Sequence, residues 1–190
     1  MTSTLLLART NLEAHIYMDM HACECGDGNF DRTNSVIELD GDLASRYVGA
    51  CRGCSRIREF IFAIPEYPSL PSANSMSFGD GTPSQLLDAG EWLFVADRYA
   101  QVATTNAEPG SEAARVARQQ VATAAAAMDE VLAFVPEGAD MVPYESLRTE
   151  RGREIYDEQP GRFYQDRLEV VRDTYRSIVA DLDAATPAGS

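Results

Sequence analysis

The chain has 190 residues, 45% of them hydrophobic and 24% charged, and sixteen basic residues against thirty acids leave a net charge of −14. That length fits one domain or two small ones, and the apolar content excludes a disordered or low-complexity chain. So acidic a chain is poorly equipped to neutralise phosphates, which argues against duplex binding and against an anionic membrane surface; it permits a basic protein as partner, beside the plainer reading of a soluble acidic protein.

Every basic side chain is arginine and none is lysine. Together with the many alanines, this points to a GC-rich bacterial genome. The absence of lysine also removes Schiff-base chemistry and the phosphate-loop lysine. No apolar run approaches the roughly 18 residues of a membrane-spanning helix. The opening Met1 to Arg9 has no basic start and too short an apolar run for a signal peptide. A cytoplasmic protein is the expectation, and in that compartment thiols stay reduced. Four cysteines in two close pairs then read as metal ligands more readily than as disulfides.

In chain order, residues 1–68 read as a β module. Ala14 to His21 partly alternates, with Ile16, Met18 and Met20 on one face, and is expected as a strand. Ser35 to Leu39 is a second candidate. Arg46 to Ala50 and Glu59 to Ile64 flank the second cysteine pair as two arms of a hairpin, ended by Pro65 and Pro68. Residues 69–82 are rich in Ser, Pro, Gly and Asn and read as a linker or long loop.

From residue 83 the period changes from two to 3.6. Thr82-Pro83-Ser84-Gln85 and Asp88-Ala89-Gly90-Glu91 both have capping-box order, predicting a short turn and then a helix to about Thr104. Leu93, Ala96, Tyr99 and Ala103 line one face of it. Ser111 opens a helix to about Val135, striped by Ala117, Val121, Ala124, Met128, Val131 and Val135. Pro143 is expected to start another, broken near Gly152 or Pro160. Tyr164, Leu168, Val171, Tyr175, Ile178 and Leu182 mark the last. The fold class is therefore α+β: an N-terminal zinc-ribbon-like antiparallel module over 1–68, the linker over 69–82, a bundle of about four helices over 83–184, and a frayed tail over 185–190.

Cys23-Glu24-Cys25-Gly26 and Cys51-Arg52-Gly53-Cys54 carry the chemistry. Two cysteines around a tight turn can aim both sulfurs at one ion, and Gly26 and Gly53 stand where such turns want backbone freedom. At these residues the sequence resembles zinc ribbons, small β domains that hold one zinc between two cysteine knuckles, over residues 13–65. The second knuckle follows the ribbon pattern. The first departs from it, with one residue between its cysteines rather than two, and His21 is the alternative ligand there. The resemblance implies a structural Zn²⁺ held by Cys23, Cys25, Cys51 and Cys54. Four thiolates fill a tetrahedral shell and leave no open position for catalysis. A zinc deaminase pattern is excluded, because Cys23 rather than Glu stands two residues after His21, and Ala50 rather than Pro precedes Cys51.

Arg52, Arg56 and Arg58 cluster at the second knuckle and are candidates for contact with an anion or nucleic acid, against the simpler role of a solvated hairpin. Residues 1–68 hold six arginines against ten acids, and 69–190 hold ten against twenty, so the helical half is the more acidic. There is no Gly-x-Ser-x-Gly elbow and no His-Glu-x-x-His. Paired acids such as Asp129 and Glu130, or Asp157 and Glu158, have the look of solvating helix faces. Three functions remain open at this stage. The favoured one is a non-enzymatic interaction protein of acidic inhibitor or immunity type. The others are a nucleic-acid-associated ribbon and an enzyme with an unrecognised carboxylate pair.

Overall fold

The computed structural model describes residues 5–66 and 76–185. The chain falls into two compact units, Met1–Leu70 and Pro71–Ser190. The described residues hold three strands and five α-helices, one helix more than the roughly four expected. Residues 69–75 of the expected linker and 186–190 of the expected tail lie outside the described residues.

In the first unit, β1 (Phe30–Leu39), β2 (Asp42–Cys51) and β3 (Ile57–Ala63) form an antiparallel sheet in the order β1-β2-β3. The β1–β2 register runs from Phe30 opposite Cys51 to Leu39 opposite Asp42. The turn between them is Asp40-Gly41, with φ of 54° and 95°, the doubly left-handed geometry that matches the twist of a two-residue hairpin. Ala50 faces Ile57 across β2 and β3, so the second cysteine pair sits at the hairpin end, as its flanking arms implied. Leu6 to Ala8 adds a short parallel contact to β3, with Ala8 N–H donating to Ala63 O at 3.2 Å.

The segment Ala14 to His21, expected as a strand, is instead the later part of helix α1 (Asn11–Met20) and its C-cap residue, His21. Thr10 caps it by accepting from Glu13 N–H, and Glu13 in turn accepts from Arg9 N–H at 2.7 Å. The helix is buried along a wide face, so Ala14, Ile16 and Met18 are all covered and imitate the alternation of a strand. Thr10-Asn11-Leu12-Glu13, with its capping-box order, was the local signal for a helix. The helix packs on the sheet face of Tyr47, Phe60 and Phe62. Tyr17 meets Phe60 and Phe62 edge-on at 6.3 and 5.5 Å, and Tyr47 OH donates to Asn11 Oδ1 at 3.1 Å.

The second unit holds α2 (Ala89–Val102), α3 (Glu112–Leu132), α4 (Glu150–Glu158) and α5 (Gln165–Ala185). Asp88 and Glu91 form the full capping box foreseen for α2, and Ser111 caps α3. Ser84 makes only a turn, its hydroxyl accepting from Leu86 and Leu87 N–H at 3.1 Å each. The core is Leu93, Ala96, Ala117, Val121, Ala124, Met128, Val131, Phe163 and Leu168, with α2 against α3 and α3 against α5. Alanines along α3 let its neighbours approach closely. Trp92 is wholly buried and stacks at 4.9 Å on Phe78, so the end of the expected linker belongs to this core.

The helix expected from Pro143 is a 3-10 turn at Tyr144–Ser146 followed by α4, which Thr149 caps. Gly152 does not break that helix; it lies inside it. A Cβ there would stand 2.3 Å from Asp88 Oδ1, so the position takes only glycine because a neighbour presses on it. On α5, Leu168 alone of the apolar stripe is fully buried, and Val171, Tyr175, Ile178 and Leu182 are half-covered. No helix among the described residues is long and apolar enough to cross a membrane.

Candidate metal centre

Cys23 and Cys25 lie in the loop between α1 and β1; Cys51 is the last residue of β2, and Cys54 lies in the turn between β2 and β3. Each loop closes on itself. In the first, Cys23 N–H donates to Asp27 O at 2.9 Å and Gly26 N–H to Cys23 O at 2.7 Å, with Gly26 at φ +90°. In the second, Cys51 N–H donates to Arg56 O and Ser55 N–H to Cys51 O, both at 2.8 Å. The left-handed residue of this second turn is Ser55, at φ 61°, rather than Gly53. Gly53 serves a different need. A Cβ there would lie 3.1 Å from Asp27 Cβ and 3.3 Å from Cys25 Sγ, so its bareness lets one knuckle press on the other.

The pressing brings four sulfurs together. Cys23 Sγ lies 3.6 Å from Cys54 Sγ and Cys25 Sγ 3.5 Å from Cys51 Sγ, each contact crossing between knuckles. All four sulfurs lie within 4.8 Å of one another, and none is disulfide-bonded. A zinc–sulfur bond of about 2.3 Å in a tetrahedron sets neighbouring sulfurs about 3.8 Å apart, so the cluster is of the size to enclose such an ion. Cys23 and Cys51 are buried, while Cys25 and Cys54 face outward.

The cluster perturbs the two thiols of the first knuckle. Cys23 is drawn down to about 7, first by the N–H of Cys25 and, against the effect of burial, by the sulfurs of Cys54, Cys51 and Cys25. Cys25 receives the N–H of Asp27, which lowers it, yet the sulfurs of Cys51 and Cys54, with burial and Cys23, push it up to about 12. Several thiolates packed this closely repel, and only a cation at their centre lets all of them ionise together. A metal that takes soft sulfur donors in a tetrahedron fits that set.

Polar cross-ties hold the knuckles in place. The Asp27 carboxylate accepts from Asn29 N–H at 2.9 Å, from Asn29 Nδ2 at 3.1 Å, and from Gly53 N–H. These bonds, the Asn29 N–H foremost, hold its carboxyl below the ordinary range. Arg56 pairs with Glu24 of the first knuckle. Arg52 donates to Asp31 at 2.9 and 2.6 Å. Both pairs are exposed, so each adds little stability beyond orientation.

Arg58, expected on the surface beside Arg52 and Arg56, is only 8% exposed. Its guanidinium donates to Gly28 O at 3.0 Å and to His21 O, and it stacks over Phe30 at 4.6 Å. It therefore fastens the end of α1 and the first knuckle to the sheet, leaving two exposed arginines at the knuckles, each beside an acid. His21 stands apart from the sulfur group. It is the C-cap of α1, with Nδ1 2.8 Å from Tyr17 O and its ring 3.9 Å from that of Tyr17. Asp27 is the site residue that sequence reasoning missed, and its place between the first knuckle and Asn29 was the available signal.

Compared with known proteins, the chain matches no protein family, no curated protein and no solved structure. The likeness to zinc ribbons thus rests on the knuckle residues themselves.

Proposed function

We propose that this chain is a non-enzymatic interaction protein of the acidic inhibitor or immunity kind, in which a structural zinc ion braces the first unit and an acidic surface engages a basic protein partner. Cys23, Cys25, Cys51 and Cys54 are the ligands in this reading. The observation that carries it is the four-sulfur cluster, whose donor set and spacing suit a closed tetrahedral shell with no position left for a substrate. Zinc thiolates need a reducing compartment, so the cytoplasm is the setting that goes with it. The net charge of −14 supports the choice of partner, since a strong acidic field speeds encounter with a basic protein and weakens as salt rises.

The test has a metal arm and a partner arm, both on the full chain. Elemental analysis is expected to find one zinc per chain and none after Cys51→Ser. Chelation is expected to unfold the first unit while the emission of Trp92, the chain's one tryptophan and a core residue of the second unit, stays unchanged. The immobilised chain is expected to retain a basic protein from a GC-rich bacterial lysate at about 50 mM salt and to release it as salt is raised. No zinc in the purified protein overturns the first half of the proposal. Nothing retained at low salt overturns the second.

A further inference from the structure

We propose that the free edge of β1 is a self-association surface, on which a second copy of this chain pairs its own β1 antiparallel about a two-fold axis through Ser35. β1 runs the ten residues from Phe30 to Leu39 in unbroken register with β2 and carries neither bulge nor proline. Among the described residues no strand pairs with its other edge. Chains that remain single blunt such an edge with proline, charged side chains, a bulge or a covering segment. The sequence Phe-Asp-Arg-Thr-Asn-Ser-Val-Ile-Glu-Leu of β1 has no proline and no bulge, and its charges, Asp31, Arg32 and Glu38, are of both signs, so they do not form the single-sign row that repels a second copy. The opposite side of the sheet is treated differently. β3 has seven residues, and Leu6 to Ala8 bonds to its end at Ala63.

Complementarity of charge selects both the occupant and the register. Residues directly opposed in an antiparallel pair share a face, so the axis of a two-fold seam passes through one residue paired with itself. With the axis at Ser35, Arg32 lies opposite Glu38 of the second copy, and Glu38 lies opposite its Arg32. Two ion pairs thus form on one face, while on the other the β-branched Thr33 meets Ile37 twice. Centring on Asn34 sets Arg32 against Val36 and Glu38 against Phe30. Centring on Val36 moves Arg32 beyond the strand to the turn residue Asp40. Arg32 already donates to Asp19 at 2.8 Å and remains 24% exposed, and its five donors suffice for a second carboxylate. The seam runs past Val36, which is 60% exposed, and ends at Leu39. Its product is a continuous six-stranded sheet.

Sedimentation of the full chain at about 100 μM, well above a micromolar dissociation constant, tests this. The wild-type chain is expected at twice its 20.8 kDa. Glu38→Arg sets arginine against arginine across the seam, and Arg32→Glu sets glutamate against glutamate, so each alone is expected at the monomer mass. An equimolar mixture of the two rebuilds both ion pairs and is expected to recover the dimer. A wild-type monomer, a dimer indifferent to both substitutions, or a mixture that stays monomeric overturns the proposal. Amide exchange of the wild-type chain supplies a readout that needs no variant. Protection along β1 is expected to grow with protein concentration while that of β3 stays constant, and equal behaviour of the two strands overturns the assignment.

Discussion

Asp88 is wholly buried and serves two helices at once, which makes Asp88→Ala the most informative substitution in the second unit. Its Oδ1 accepts from Glu91 N–H at 2.9 Å, closing the first turn of α2. Its Oδ2 accepts from Arg148 N–H at 2.9 Å, Thr149 N–H at 2.7 Å and Thr149 Oγ at 2.8 Å, on the approach to α4. Alanine deprives four donors of their acceptor. A lost cap costs about 1 kcal/mol, and each unsatisfied donor at least about as much, so the expected loss is about 4 kcal/mol. Against a total stability of roughly 5–15 kcal/mol this is severe but survivable. Urea titration followed by Trp92 emission reads the second unit alone. With a slope of roughly 1.5 kcal/mol per molar, the midpoint should fall by about 2 to 3 M. Asp88→Asn keeps the shape and one acceptor oxygen, and should fall about half as far. A shift below about 0.5 M for alanine, or an asparagine variant no better than alanine, would refute the shared-cap argument.

Two further outcomes follow from the same geometry. Burial, with the neighbouring charge of Asp88, pushes the Glu91 carboxyl above its ordinary range although it accepts the Asp88 N–H. A raised carboxyl costs stability at neutral pH, and the cost vanishes as pH falls below the ordinary carboxylate range. Glu91→Gln keeps a capping-box acceptor without the charge, so its urea midpoint relative to wild type should be higher at pH 7 than at pH 4; the reverse order contradicts the burial argument. At the four-cysteine cluster, Asp27→Ala releases Asn29 and Gly53 and, on the zinc reading proposed above, should weaken binding of added zinc about 10- to 100-fold, as loss of a supporting hydrogen bond around a metal generally does. Competition with a chromophoric chelator measures it, and a change under about twofold contradicts the role given to Asp27.

Local chemistry made much of this protein legible before any fold was known. Asp88 and Ser111 announced their helices because a cap is settled by the first turn itself, and the stripe from Ala117 to Val131 revealed a buried face because a helix repeats every 3.6 residues whatever it packs on. The β2–β3 hairpin and the four cysteines were likewise readable, since close thiol pairs with turn residues admit few other uses. What tertiary structure alone decided is where distant parts meet. Ala14 to His21 alternates like a strand, yet it is a helix covered over so wide a face that successive turns lose their contrast. Arg58 looks solvated in sequence and is spent on carbonyls of His21 and Gly28, which lie far from it along the chain. Gly53 and Gly152 owe their identity to a neighbouring segment pressed against them, and the pairing of Cys23 with Cys54 and of Cys25 with Cys51 across the knuckles comes from the sheet register. Periods and caps act over a few residues and so are written in the chain, whereas burial and close approach between remote segments exist only once it has folded.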